Sequence, residues 1–173
     1  MILCPYCENE NIEGADDCAE CGQPLVDTHL APPANEVERS LLGDRISVLV
    51  PKRPITAVAT TPVGDVLRLM VEHRIGCVVV VDGDRPIGIF SERDALRKIG
   101  AEIAAAAARP VREFMTPNPQ TLVADAKIAF AVQRMDLGGY RHLPIVGPRG
   151  ELVGIISARD ILRHLTEAMA REG

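Results

Sequence analysis

Four of the five cysteines lie within the first 21 residues, in the spacing C-x2-C-x10-C-x2-C: Cys4, Cys7, Cys18 and Cys21. Two CxxC knuckles can present four thiolates to one zinc ion at a Zn–S distance of ~2.3 Å, which closes the coordination sphere, and such a site is structural. Because the segment holds few large apolar side chains, bound metal must supply its folding free energy. The spacing therefore predicts a structural Zn²⁺ site.

The same cysteines have two alternative interpretations. Two disulfides would need an oxidising compartment, and the first residues, MILCP, carry neither the basic nor the apolar region of an export signal. A redox-active CxxC would need a strand followed by a helix, which this segment lacks. We therefore expect a cytoplasmic protein in which these thiols bind zinc.

The string CPYCENENIEGADDCAECGQPL resembles the short zinc ribbons found at the N-termini of many bacterial and archaeal proteins, over residues 2–26. This segment has acidic but no basic residues, because the first basic residue of the chain is Arg39. Nine of the 24 acidic residues precede Arg39. The rest of the chain contains 15 acidic and 19 basic residues, a net charge of +4. An acidic ribbon repels phosphate, so we expect it to contact protein, including its own neighbour, and not nucleic acid directly.

Composition excludes other classes of protein. Apolar residues form 47% of the 173-residue chain but aromatic residues only 3%, which argues against aromatic platforms for single-stranded nucleic acid. No apolar run approaches the roughly 20 residues of a membrane helix. The length suits about one domain plus a small module.

An internal repeat occupies the rest of the chain. The string GIFSERDAL at residues 88–96 recurs as GIISARDIL at residues 154–162, an offset of 66, and upstream positions match at an offset of 65. One extra residue in the loop at 147–150 reconciles the two offsets. Each copy predicts helix, strand, turn, strand and helix, and therefore an α/β (α+β) fold.

The first copy sets the expected boundaries of these elements. Its apolar spacing predicts a helix over about 63–73, a buried strand over 77–81, a turn at 82–84 and a strand over 86–90. A second helix is expected from Glu92, continuing through Ala104–Ala108 until Pro110 ends it.

A serine and an aspartate recur together where the second strand of each copy meets its helix: Ser91 with Asp94, and Ser157 with Asp160. One interpretation is a capping box, in which the two side chains satisfy the first backbone N–H groups of the helix. The other is a ligand site, because a helix N-terminus attracts phosphate or polar ligand oxygens. The two interpretations are compatible.

Residues 46–167 resemble a tandem pair of CBS domains, the arrangement called a Bateman module. The resemblance rests on the two repeated strings, on FMTP at residues 114–117 and on GGYRHLPIV at residues 138–146. It implies two β-α-β-β-α repeats packed pseudo-symmetrically. It also implies a regulatory sensor that binds AMP, ADP or ATP in clefts between the repeats, with S-adenosylmethionine, NAD and cyclic dinucleotides as further ligand classes.

The resemblance assigns roles to individual residues. Asp94 and Asp160 would hold the ribose, and Ser91 and Ser157 would contact ribose or phosphate. Basic groups before the buried strand of the second copy would face ligand phosphates, and Thr61 would line a cleft. These basic groups are Arg141 and His142, whose uncharged counterparts in the first copy are Gly76 and Cys77. We therefore expect unequal clefts, with phosphate binding on the side of the second copy.

Four segments follow from these observations: a zinc ribbon at 1–26, a linker and short helix at 27–45, and CBS repeats at 46–104 and 105–169. CBS pairs commonly associate into homodimers through their helices, so the resemblance implies a homodimer. The leading hypothesis is a non-enzymatic nucleotide sensor with no catalytic residues, since no P-loop or GxSxG string is present. The alternative is a nucleic-acid or ribosome-associated adaptor that uses the ribbon.

Overall fold

The computed structural model describes residues 2–4, 6–12, 15–25 and 33–171. Most of the expected linker, and Gly14 of the ribbon, lie outside these ranges. Two compact units divide the chain: one contains residues 1–50, 122–140 and 158–173, and the other contains residues 51–121 and 141–157. Within the described ranges, no helix is long and apolar enough to cross a membrane.

The strands are β1 (Ile2–Leu3), β2 (Glu10–Asn11), β3 (Thr56–Val58), β4 (Cys77–Asp82), β5 (Arg85–Ser91), β6 (Thr116–Pro117), β7 (Leu122–Val123), β8 (His142–Val146) and β9 (Leu152–Ser157). The α-helices are α1 (Glu36–Gly43), α2 (Val63–Glu72), α3 (Glu92–Asp94), α4 (Ile103–Ala106), α5 (Ile128–Gly138) and α6 (Ala158–Ala170). This mixture of helices and strands is the α/β class that the sequence predicts.

The first unit begins with the cysteine-rich segment. Its strands β1 and β2 pair antiparallel, with Ile2 opposite Asn11. Gly22, directly after the last knuckle, adopts a φ of 68°, a left-handed conformation that favours glycine. Farther along, Asn35 caps α1 by accepting a hydrogen bond from the Glu38 N–H at 2.8 Å.

A polar cluster joins α1 to α6 in this unit. The buried Ser40 hydroxyl donates to the Asp44 carboxylate at 2.5 Å, and Nε2 of His164 lies 2.9 Å from the same Asp44 oxygen. The Ser40 hydrogen bond and the neighbouring His164 hold the pKa of Asp44 below its usual value, against the opposing effect of partial burial. The ionised carboxylate therefore stabilises the folded chain.

We expect Asp44→Asn to lower the free energy of unfolding at pH 7 by about 1 kcal/mol, a value reduced by the partial exposure of the side chain. A carboxyl whose folded pKa lies below its unfolded pKa stabilises the fold above about pH 4 and loses that effect as the pH falls through the folded value. The difference between wild type and variant should therefore be complete at pH 7 and smaller at pH 3. Urea unfolding at both pH values measures this difference in the free energy of unfolding.

Asp125→Asn is the control, because that side chain is 81% exposed. Equal stability of wild type and Asp44→Asn at pH 7 would refute the prediction.

The second unit contains the sheet β3-β4-β5-β6. Strand β3 runs parallel to β4, whereas β4, β5 and β6 pair antiparallel. The apolar run Cys77–Val80 is buried, as the sequence predicts for a strand covered on both faces. Its core also includes apolar residues of β5, of α2 and of the segment that leads into β6: Phe90, Val63, Val66, Met70, Val111 and Phe114.

The internal repeat recurs in the geometry of two hairpins. In β4–β5, Cys77 faces Ser91 and a bulge falls between Val80 and Val81. In β8–β9, His142 faces Ser157 and the bulge falls between Ile145 and Val146. Register and bulge therefore coincide at the two offsets that the sequence shows, 65 residues from β4 to β8 and 66 from β5 to β9.

The prediction of one continuous helix from Glu92 through Ala108 is wrong. Helix α3 has three residues, a π-helical turn follows at Ala95–Ile99, and a 3-10 turn leads into the short helix α4. The interruption lies at Gly100, whose φ of 55° no regular right-handed helix contains. The alanine-rich stretch favours helix, but it lies beyond this break.

The glycines at equivalent positions of β5 and β9 both allow close packing of protein atoms. A Cβ built on Gly88 would lie 2.2 Å from Sδ of Met115, and one built on Gly154 would lie 2.7 Å from Cβ of Pro51. At both positions a side chain of the protein occupies the space that a Cβ would need.

We expect Gly88→Ala to lower the free energy of unfolding by about 1–3 kcal/mol, because Met115 must move away from the added methyl group. The matched control is Gly43→Ala, where no atom lies within 4 Å of the added Cβ. Chemical denaturation of the two variants measures the difference, and equal stabilities would show that Met115 moves without cost.

Candidate functional site

The four N-terminal cysteines converge on one point. All four Sγ atoms lie within 4.8 Å of one another, with Cys4 and Cys21 3.6 Å apart and Cys7 and Cys18 3.5 Å apart. A tetrahedral zinc thiolate site with bonds of ~2.3 Å separates its sulfur atoms by ~3.8 Å. The described residues therefore fit one zinc ion with four thiolate ligands.

Hydrogen bonds to sulfur orient these ligands. The Tyr6 N–H donates to Cys4 Sγ at 3.4 Å, and the Asn11 amide donates to Cys18 Sγ at 3.6 Å. Burial opposes ionisation of Cys18, but hydrogen bonds from the backbone of Cys21 and Glu20 outweigh it and lower the pKa of its thiol to about 6. A preformed thiolate of this kind is what a metal ion needs.

Cys77 stands apart from this cluster. It lies on the buried strand β4, where burial raises the pKa of its thiol to about 12. At neutral pH it is therefore a protonated, apolar core residue, as the sequence predicts.

The first Ser-Asp pair forms a complete capping box. Ser91 N and Oγ donate to Asp94 Oδ2 at 3.0 and 2.7 Å, and Asp94 N donates to Ser91 Oγ at 3.4 Å. The other carboxylate oxygen, Oδ1, accepts hydrogen bonds from Thr116 Oγ1 at 3.0 Å and from Lys98 Nζ at 2.8 Å. These four bonds fill the acceptor positions of the carboxylate.

The environment of Asp94 favours its charged form. The residue is 8% exposed, and its burial raises the pKa, but Lys98, Ser91 and Thr116 together hold that pKa below the usual value. Lys98 is held in place by the carbonyl oxygens of Phe114 and Met115, at 2.8 and 3.0 Å. A ribose hydroxyl could bond Asp94 only by replacing one of these partners.

The second Ser-Asp pair has different partners. Ser157 ends β9 and lies directly opposite His142 in the hairpin. Asp160, in the first turn of α6, is 4% exposed and accepts a hydrogen bond from Arg163 at 3.2 Å. Its carboxylate therefore lies beside an arginine three residues farther along the same helix.

His142 is also brought against the first copy of the repeat. A Cβ built on Gly76 would lie 3.1 Å from Cε1 of His142 and 3.5 Å from a Glu92 carboxylate oxygen. Gly76 is the first-copy counterpart of Arg141, so the residue that leaves the first copy uncharged also makes room for the His142 ring. Arg141 itself is exposed.

Thr61 lies just before α2 and is half-buried. Its backbone N–H donates to Val58 at 3.0 Å, and its carbonyl oxygen accepts from Val111 at 2.8 Å. These bonds fix the turn that leads into α2, and the role of the Thr61 side chain in a cleft stays a prediction.

Comparison with known proteins decides the family. The sequence profile of the CBS domain matches residues 46–101 and again residues 111–167, more than half of the chain. The chain belongs to the CBS domain family. Its two Ser-Asp pairs lie at the same place in the two CBS domains, which confirms the tandem pair that the sequence predicts.

Two relatives match most of this chain but different shares of their own length. An uncharacterized 17.7 kDa protein of Acidianus ambivalens is 30% identical over 127 residues, which cover 73% of this chain and 76% of the relative. A CBS domain-containing protein of Arabidopsis thaliana is 30% identical over 125 residues, which cover 71% of this chain but only 22% of that much longer protein.

A solved structure has the same fold. The CBS domain protein from Pyrobaculum aerophilum, determined as a complex with AMP, superposes with a TM-score of 0.63 at 27% identity and covers 71% of this chain and 98% of that one. The CBS pair at 46–167 is therefore a known fold, and the ribbon precedes it.

Two residues beside Asp94 were missed by sequence reasoning. Thr116 lies in the quoted FMTP string, where only its place before the second repeat drew notice. Lys98 lies four residues after Asp94, a spacing that supports ion pairs on a helix and could have identified it.

Proposed function

We propose that this chain is a non-enzymatic regulatory protein that binds an adenosine-containing ligand, such as AMP, ADP or ATP, at the Ser-Asp pairs of its CBS repeats. The observation that carries the proposal is the recurrence of Ser and Asp at the strand-to-helix junction of both copies, in a fold whose relative from Pyrobaculum aerophilum was solved with AMP. A buried carboxylate at a helix start accepts hydroxyl donors such as those of ribose.

The two sites are proposed to differ. The first copy carries Gly76 and Cys77 where the second carries the basic residues Arg141 and His142. Arginine binds phosphate through two parallel N–H groups. Phosphate-bearing ligands should therefore prefer the second repeat, with Ser157 and Asp160 holding the ribose.

The cysteine cluster is proposed to hold a structural Zn²⁺ ion. The support is the donor set of Cys4, Cys7, Cys18 and Cys21 and the close spacing of their sulfur atoms. A bound ion would supply the folding free energy that so short a segment needs. All five cysteines are free thiols, which suits the reducing cytoplasm where we place the protein.

A homodimer formed through helices completes the proposal. An apolar groove of about 370 Å³ lies along α2 and α4, lined by Leu67, Val71 and Ile103. Exposed apolar surface of this kind marks interaction sites, and a second copy of the chain is the proposed occupant. Sedimentation velocity distinguishes the dimer from a monomer.

Thermal unfolding of the zinc-loaded protein with AMP, ADP, ATP or S-adenosylmethionine tests the ligand proposal. A ligand at ~100 times its dissociation constant adds about 2.7 kcal/mol, which raises Tm by about 5 °C or more at this size. The rise should disappear in an Asp94→Ala/Asp160→Ala variant. An absence of any rise in the wild type would leave the two pairs as helix caps.

A further inference from the structure

Arg134 is the one lysine or arginine among the buried charged residues of the described chain. It lies on α5, is 7% exposed, and donates from Nη2 to the carbonyl oxygen of Tyr6 at 2.5 Å. Tyr6 belongs to the first CxxC knuckle, 128 positions earlier in the sequence. A helix of the second CBS repeat therefore reaches into the cysteine cluster of the ribbon.

A buried arginine is costly unless nearby negative charge compensates it. The ionisable groups that act on Arg134 include Glu8, Tyr140 and Cys4, of which Glu8 and Cys4 belong to the ribbon. Four thiolates around one Zn²⁺ carry a net charge of −2, so the loaded site supplies that compensation. Because the first basic residue of the chain is Arg39, the ribbon has no cation of its own.

The contact acts on the knuckle that holds the metal. The Tyr6 N–H donates to Cys4 Sγ at 3.4 Å, and the Tyr6 carbonyl oxygen accepts from Arg134. Tyr6 is thus held through its N–H by the metal ligand Cys4 and through its carbonyl oxygen by Arg134 of α5. Groups that orient ligands from outside the coordination sphere change metal affinity strongly.

We infer that Arg134 couples the metal state of the ribbon to helix α5, so that the ribbon is a metal-dependent clamp on the second CBS repeat and not an independent module. The inference rests on the zinc site proposed above. With metal bound, the charged cluster and the ordered knuckle hold Arg134 and α5. Without metal, the knuckle loses its order, and the buried guanidinium loses the part of its compensating charge that the zinc-thiolate cluster supplies.

Arg134→Met removes the charge and the hydrogen bonds, and Arg134→Lys keeps the charge. Arg39→Met is the matched control, since Arg39 is an exposed arginine of the same unit. Metal affinity is measured by chelator competition with Zn²⁺, and Co²⁺ absorption verifies thiolate coordination in each variant. We expect Arg134→Met to lower metal affinity by about 10–100-fold, Arg134→Lys to recover part of that loss, and Arg39→Met to match the wild type.

Hydrogen exchange gives the reciprocal measurement, because coupling between two sites must act in both directions. Chelation of the wild-type protein should speed amide exchange in α5, and chelation of Arg134→Met should add little, since its α5 is already released. Equal metal affinity in Arg134→Met and Arg39→Met, or unchanged α5 exchange on chelation of the wild type, would overturn the inference while leaving the zinc site intact. A wild-type protein that binds neither metal would overturn the zinc site and the inference together.

Discussion

Replacing Cys18 with serine is expected to abolish tight zinc binding and to unfold the ribbon, while the CBS repeats stay folded. Structural zinc sites contribute an apparent binding free energy of about 10–16 kcal/mol, and so short a segment has too small a core to fold without it. Cys18 is buried, and its thiol has the low pKa of about 6 that favours metal coordination. We therefore expect at least a hundredfold loss of zinc affinity.

Chelator competition measures the affinity, and hydrogen exchange of residues 2–25 reports the folding of the ribbon. The control is Cys77→Ala, which removes the cysteine of the β4 core and should retain one zinc ion per chain. Tight binding of one zinc ion by Cys18→Ser would contradict the four-cysteine site.

The second large effect concerns the two aspartates. We expect Asp160→Asn to weaken AMP binding by about 10–100-fold, the equivalent of hydrogen bonds to a charged group worth about 1.5–3 kcal/mol. We expect Asp94→Asn to weaken it less than about threefold, because the basic residues suited to phosphate, Arg141 and His142, lie in the second copy, where AMP should therefore bind.

Asp94→Asn should also lower the stability of the folded chain. Asp94→Asn disrupts a capping box and an ion pair with Lys98, so it should lower the free energy of unfolding by about 1–2 kcal/mol. Fluorescent-nucleotide competition and urea unfolding of both variants measure the two quantities, with Asp125→Asn as the exposed control. Equal losses of AMP affinity in the two variants would refute the proposed inequality of the sites.

Most of the fold could be predicted from patterns in the sequence. The offsets of 65 and 66 residues between the repeats reappear as identical register and bulge position in two hairpins. The cysteine spacing indicated a cluster that the structure brings within 4.8 Å. One signal is a repeated string and the other a fixed spacing of cysteines, and both are visible in the sequence itself.

Contacts between segments that are far apart in the sequence could not be predicted from such patterns. Thr116 reaches Asp94 across 22 positions, and Arg134 reaches Tyr6 across 128. The π-helical turn after α3 overrides the helical preference of residues 95–99, because Gly100 adopts a left-handed φ that ends the regular helix. Helix propensity is a property of each segment by itself, whereas these contacts and the π-helical turn depend on what the segment packs against.

The central claim is that the CBS pair binds an adenosine ligand, and calorimetric titration of AMP into the full-length, zinc-loaded protein tests it most directly. Saturable binding of one AMP per chain, lost in Asp160→Asn and retained in Asp125→Asn, is the result that we predict. No saturable heat with AMP, ADP, ATP or S-adenosylmethionine at millimolar concentration would contradict the account, and would leave the Ser-Asp pairs as structural caps of α3 and α6.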